Sequence, residues 1–62
     1  MKRYKDINNE IVVAEKASGP TVLLTILGER VTNIGDYIVY LPNGIIVLDA
    51  AKFESSFVEI GE

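Results

Sequence analysis

The side chains that most often carry chemistry are missing from this sequence, which has neither histidine nor cysteine among its 62 residues. Their absence removes the usual general base near neutral pH, the thiol nucleophile and the soft metal ligands together. An active site would have to be built from the nine carboxylates, the lysines, the three tyrosines and the hydroxyls. The sequence therefore predicts a protein that is not an enzyme, with no catalytic residues, metal or cofactor.

Two carboxylates, Asp36 and Asp49, lie near predicted element ends, where a paired acid site could form. Neither belongs to a calcium-binding loop or to a two-carboxylate hydrolase pattern. We expect Asp36 to accept hydrogen bonds from turn amides and Asp49 to cap a helix. Gly28, Gly35 and Gly44 are too far apart to cradle a phosphate, so they read as turn glycines.

Tyr37 and Tyr40 are the residues best suited to binding, because a tyrosine ring offers apolar area together with a polar tip. They lie with Ile38 and Val47 in strands that carry apolar residues on both faces. We predict these four residues as a partner-binding site, the alternative being that they belong to the core. No cation is interleaved with the tyrosines, as a surface for single-stranded nucleic acid would require.

The element that must position these residues is a β-hairpin, Tyr37 to Leu41 and Ile45 to Asp49, around Pro42-Asn43-Gly44. Proline presets a turn and Asn-Gly tolerates positive φ. A two-residue tip at Asn43-Gly44 places Leu41 opposite Ile46. It also puts four apolar residues on one face: Val39, Leu41, Ile46 and Leu48. A bulged turn beginning at Pro42 is the alternative, and it would exchange the faces.

Two strands are predicted before this hairpin, at Ile11 to Ala17 and at Thr21 to Leu27. The second is nearly continuous in apolar residues, which predicts that both of its faces are at least partly covered. Gly28-Glu29-Arg30 is predicted to turn the chain, and Val31 to Ile34 to continue as a short, less regular strand or a loop.

A short helix is predicted after the hairpin, at Ala50 to Ser55 with Asp49 as its cap and Phe53 pointing at the sheet. Phe57 to Ile60 then reads as a closing strand, and Gly61-Glu62 as a frayed end. The fold class expected is all-β, mainly antiparallel, with one short helical turn before the last strand. A small SH3-like barrel and an open, bent meander fit this pattern equally well.

Size and composition predict a single domain over residues 1–62 with more apolar residues than its interior can hold. Apolar types make up 48% of the chain, whereas a domain this small buries only about 60% of its unfolded surface. Without cysteine, no disulfide can reinforce the core. Self-association or a partner protein is therefore expected to cover the surplus, a closed barrel being the alternative.

The net charge of −3 argues against nucleic acid as a partner, since phosphate binding requires a basic surface. Lys2 and Arg3 could open a signal peptide, but Asp-Ile-Asn-Asn-Glu follows instead of an apolar stretch. The apolar run at Val22 to Leu27 is too short to cross a bilayer. We therefore expect a soluble, cytoplasmic protein that does not bind membranes.

The segment Ile34-Gly35-Asp36-Tyr37-Ile38-Val39, with Asn43-Gly44, Phe53-Glu54 and Phe57 after it, resembles the C-terminal half of a family of small uncharacterised phage and prophage proteins. That family shows a Gly-Asp-Trp/Tyr-Ile strand, a glycine turn, a helical turn with Phe-Glu and an aromatic-led last strand. Residues 47–52 depart from it, because the family has Tyr-Pro-Cys-Lys-Pro-Asp there. The resemblance implies a phage-encoded or prophage-encoded accessory protein in the host cytoplasm.

Two functions follow as hypotheses. The first is a non-enzymatic protein-interaction module that binds a host or phage protein, or itself as a homo-oligomer, through an apolar sheet face or a strand edge. The alternative is a small barrel that binds nucleic acid or a nucleotide through cations that the fold would bring together: Lys2, Arg3, Lys5, Arg30 and Lys52.

Overall fold

The fold consists of two antiparallel sheets and a helix, in a computed structural model that describes residues 1–61. The strands are β1 Lys2–Lys5, β2 Ile11–Lys16, β3 Thr21–Thr25, β4 Gly28–Thr32, β5 Tyr37–Leu41, β6 Gly44–Leu48 and β7 Val58–Gly61, and the helix α1 is Ala50–Ser56. Glu62, half of the predicted frayed end, lies outside the described residues, and Gly61 ends β7.

Five strands form the larger sheet in the order β6-β5-β2-β1-β7, and β3 and β4 form a separate two-stranded sheet. All of the pairings are antiparallel. The predicted fold class is therefore confirmed. The sheets do not close into a barrel, which is consistent with the open meander of the two architectures weighed from the sequence.

The core lies between α1 and one face of the five-stranded sheet, which we call the inner face. Phe53 is 1% exposed, and its ring stacks on Tyr37 at 4.0 Å and meets Tyr4 edge-on at 4.7 Å between ring centroids. Val39 and Ala14 complete the buried cluster. The helix is fixed as the sequence predicts, because the Asp49 carboxylate accepts a hydrogen bond from the Lys52 amide at 2.8 Å.

The β5–β6 hairpin is confirmed, but its predicted register is wrong by two residues. Leu41 pairs with Gly44 and Val39 with Ile46, so the turn consists of Pro42 and Asn43. The predicted register would place Pro42 within the ladder, where it has no N–H to donate. Side chains alternate with a period of two, so this shift keeps the predicted faces. Four predicted face residues accordingly pack in or against the core: Val39, Leu41, Ile46 and Leu48.

Strand β1 was not predicted, and β4 takes the place of a predicted turn and less regular segment, so the structure has seven strands within residues 1–61 where the sequence indicated five. Lys2–Lys5 lies between β2 and β7 and pairs with both. Tyr4 is the residue of this strand that is buried. A turn follows it, in which the Asp6 carboxylate accepts from the amides of Asn8 and Glu10. The two chain ends also meet through an ion pair between Lys2 and Glu59.

The β3–β4 hairpin is an excursion from the connection between β2 and β5. At the base of this hairpin the hydrogen bonding between β2 and β5 continues past the ends of both strands. The Ala17 amide donates to the Asp36 carbonyl, and the Gly35 amide donates to the Ala17 carbonyl. The turn predicted at Gly28-Glu29-Arg30 is wrong. The chain turns at Ile26 and Leu27, and Gly28, at φ +104°, begins β4.

The tip of this excursion rests against β6. The Ile26 amide donates to the Ile45 carbonyl at 3.0 Å. The Ile26 side chain lies 2.5 Å from the place where a Cβ on Gly44 would stand. Glycine is therefore required at position 44 both for this approach and for its φ of +141°. The hairpin is thus anchored at its tip as well as at its base.

Candidate interaction surface

The β3–β4 hairpin buries two threonines on its inner side, with Leu23 half-buried between them, and leaves most of its aliphatic residues on the outside. The register pairs Val22 with Val31 and Leu24 with Glu29, so these four residues share one face. On the other face, Thr25 and Thr32 are buried. A β-hairpin on a protein surface ordinarily turns its apolar side to the core and its polar side to water. Here the usual arrangement is inverted.

The inverted arrangement is possible because the buried hydroxyls find partners. The Thr32 hydroxyl accepts from the Thr21 amide at 3.0 Å and donates to the Gly19 carbonyl at 3.1 Å. At the other end, the Thr25 hydroxyl donates to the Gly28 carbonyl and accepts from the Leu27 amide. Satisfied hydroxyls cost little to bury. The threonines thereby hold the inside of the hairpin, and its aliphatic side chains are left outside.

The outer side of the hairpin forms the candidate site, which we call the hairpin face: Val22, Leu24, Leu27 and Val31. Their exposed fractions run from 59% for the two valines to 71% for Leu27 and 79% for Leu24. Together these residues expose roughly 500 Å², most of it aliphatic, near the upper end for the largest patch on a monomer. The sequence predicts that both faces of this strand are at least partly covered, whereas in the single chain this face is open.

The four site residues predicted from the sequence do not lie on one surface. Tyr37 is on the inner face, stacked on Phe53 in the core. Ile38 and Val47 pair across β5 and β6 on the opposite, outer face, which also carries Tyr40. The hairpin lies over part of that face, so Ile38 is buried and Tyr40 is half-buried. The structure thus brings three of the four together and separates Tyr37 from them.

A cleft of about 250 Å³ lies where the hairpin meets the outer face, with Leu23 on one side and Ile38 and Tyr40 on the other. The Tyr40 hydroxyl donates to the Glu15 carboxylate at 2.6 Å in this cleft. This hydrogen bond and burial raise the pKa of Tyr40 above its usual 10.0. Tyr40 is therefore a neutral hydrogen-bond donor near neutral pH and is already engaged within the chain.

A second, larger cleft, of about 340 Å³, opens on the inner face beside the core and includes Tyr4, Lys16 and Tyr37 in its lining. Burial raises the pKa of Tyr4, so this phenol holds its proton near neutral pH and is a poor general base. Lys16 lies over the Tyr37 ring, 5.7 Å from its centroid. Within residues 1–61, no three carboxylates cluster as a metal site would require.

The cations of the nucleic-acid hypothesis are distributed over three elements: β1 carries Lys2, Arg3 and Lys5, β4 carries Arg30, and α1 carries Lys52. Neighbouring residues of a strand point to opposite faces, so the β1 cations are divided between the two sides of the sheet. Lys2 also lies 3.4 Å from a Glu59 carboxylate oxygen. The fold therefore does not present β1 as a single basic surface.

The aliphatic hairpin face was not among the sites predicted from the sequence, although its signal was present. The strand Thr21 to Thr25 carries apolar residues on both faces, with Leu23 between Val22 and Leu24, so its pattern does not say which side faces inward. In the part of the chain that the structure describes, no helix is long and apolar enough to cross a membrane. No protein-family model, curated protein or solved structure matches this chain.

Proposed function

We propose that this protein is a non-enzymatic protein-interaction module that binds through the hairpin face. The observation that carries the proposal is the inverted hairpin: Thr25 and Thr32 are buried, whereas Val22, Leu24, Leu27 and Val31 are open to solvent. An exposed aliphatic patch of this size is near the upper end for a monomer, and such patches are often interaction sites. Leu24, 79% exposed, lies on this face opposite Glu29.

The hairpin is also held in place at both its base and its tip before any partner binds. Its base is fixed by the Thr32 hydroxyl, and its tip is fixed by the backbone bond from Ile26 to β6. A surface that is ordered before binding loses less conformational freedom in the complex. The partner therefore meets a preformed two-stranded ribbon.

The biological setting is part of the proposal. The resemblance of residues 34–60 to small phage and prophage proteins supports a phage-encoded or prophage-encoded accessory protein that acts in the host cytoplasm. Such a protein binds a host protein, a phage protein or itself. The hairpin face lies in residues 22–31, outside the resemblance, as expected if the shared half supplies the scaffold and the excursion supplies specificity.

A matched pair of variants tests the proposal. Leu24→Glu places a charge on the hairpin face, whereas Ile7→Glu makes the same change in charge at a residue that is 92% exposed in the β1–β2 turn. Wild-type, Leu24→Glu and Ile7→Glu chains are used to capture partners at native expression, and each captured protein is then purified and titrated. We expect a partner retained by wild type and Ile7→Glu but lost by Leu24→Glu. A partner held equally by all three would place binding elsewhere.

A further inference from the structure

We infer that the hairpin face is a homodimer interface, so that its occupant is a second copy of this chain. This inference rests on the proposed function and names its partner. It is carried by three features of the single chain: the area of the hairpin face, the chemistry of that face, and the small size of the core.

The area of the hairpin face is what a small dimer needs. Stable interfaces bury at least about 1,000 Å² in total, or about 500 Å² from each partner. The hairpin face supplies that amount by itself. The whole chain exposes 4293 Å², about 300 Å² more than the surface expected of a folded monomer of 6.8 kDa. The open hairpin face is large enough to account for this excess.

The chemistry of the face is self-complementary. Val22, Leu24, Leu27 and Val31 are all aliphatic, so two copies related by a two-fold axis would bring no like charges together among these side chains. Glu29, opposite Leu24, is a charged residue on the same face, so a two-fold arrangement has to leave it at the edge of the contact, where interfaces are ordinarily polar. Two such ribbons can pack face to face as the sheets of a β-sandwich do.

The core is small, so the chain needs the additional stability that a dimer interface would supply. Its buried cluster contains four residues, Tyr4, Ala14, Val39 and Phe53, and the sequence contains no cysteine. Domains of this size commonly gain stability from oligomerisation. Pairing through the hairpin face would remove Leu24, the most exposed of the large apolar strand residues that the structure describes, from water and make the stability of the protein depend on its concentration.

Sedimentation equilibrium from low micromolar to millimolar concentration tests the inference. Wild type is expected to form a discrete dimer of twice 6.8 kDa, with a micromolar dissociation constant, as its small interface indicates. Leu24→Glu is expected to weaken the dimer about tenfold or more, because the new carboxylate would be buried without a partner. Leu24→Thr, which removes apolar area without adding charge, is expected to lie between them. Ile7→Glu is expected to match wild type.

Three results would overturn the inference: a wild-type chain that stays monomeric, a dimer that Leu24→Glu leaves intact, or growth into larger species without a defined end point. Circular dichroism of each variant verifies the fold of the single chain, to which Leu24 contributes little because it is 79% exposed there. A variant that loses the dimer but keeps its fold is expected to lose the concentration dependence of its stability. If wild type is monomeric but Leu24→Glu still abolishes capture of another protein, the homodimer fails and the proposed function stands. If no capture depends on Leu24 either, both fail.

Discussion

Thr32→Val replaces the buried hydroxyl with a methyl group of similar size, and we expect it to lower the free energy of unfolding by about 2 kcal/mol. Thr32 is fully buried, and its hydroxyl bonds to the Thr21 amide and to the Gly19 carbonyl. The substitution deprives both backbone groups of this partner while it preserves the packing. Losing buried hydrogen-bond partners costs about 1–3 kcal/mol, which fixes the expected range.

A loss of this size is large for so small a chain. Total stability for 62 residues is of the order of 3–9 kcal/mol, so the substitution removes a substantial part of it. The melting temperature is expected to fall by roughly 10 °C. Urea unfolding at a fixed protein concentration measures the change, and amide exchange should quicken chiefly in residues 21–32, the segment that the hydroxyl secures.

Two controls separate the hydroxyl from its surroundings. Thr21→Val makes the same change at an exposed side chain and is expected to alter stability by less than about 0.5 kcal/mol. Thr32→Ser keeps the hydroxyl and loses a methyl group, at a cost of about 1 kcal/mol. A Thr32→Val chain that unfolds at the wild-type urea midpoint would show that the hydroxyl does not stabilise the fold. A Thr32→Ser chain that is less stable than Thr32→Val would show the same.

Further predictions concern the core, the helix and the tyrosines. Phe53→Ala should cost about 3–5 kcal/mol, and loss of the native circular dichroism spectrum would show it; a stably folded variant would contradict the placement of this ring in the core. Asp49→Ala should cost about 1 kcal/mol through the lost cap, whereas Asp49→Asn should cost less in the same urea titration. Folding raises the pKa values of Tyr4 and Tyr40 above 10.0, so the folded state holds protons that the unfolded chain has released. Stability should therefore be unaffected by these groups below pH 10.0 and fall as pH rises above it. Ultraviolet titration should show that Glu15→Gln moves the pKa of Tyr40 towards its usual value, and an unchanged titration would count against the hydrogen bond as the leading cause.

Local chemistry explains what the sequence predicted well. Asp49 followed by two alanines is a helix start that needs no distant contact, and Phe53 then faces the sheet by helical periodicity. Pro42 with Asn43 and Gly44 marks a turn wherever the strands lead. Each of these signals acts on residues close to it in the sequence, so distant contacts do not change the structure that it predicts.

Distant contacts explain what the sequence could not supply. Lys2 to Lys5 has one buried side chain, Tyr4, and becomes a strand because β2 and β7 pair with it on either side. The orientation of the hairpin face also depends on contacts with residues distant in the sequence. Apolar residues occupy both faces of this strand, Val22 and Leu24 on one and Leu23 on the other, and only the packing of Thr25 and Thr32 against the rest of the chain decides which side turns outward.

The ladder that runs beneath the β3–β4 excursion separates folding from recognition. Because Ala17 bonds directly to Gly35 and Asp36, residues 18–34 leave and rejoin the scaffold at points that are already held together. Closing such a loop costs little more entropy when its length changes. A foreign ribbon could be grafted there, and natural variants could exchange this segment for another, while the aromatic core around Phe53 stays intact. If the hairpin face binds a partner as proposed, the residues that decide specificity could change while the residues of the core stay the same.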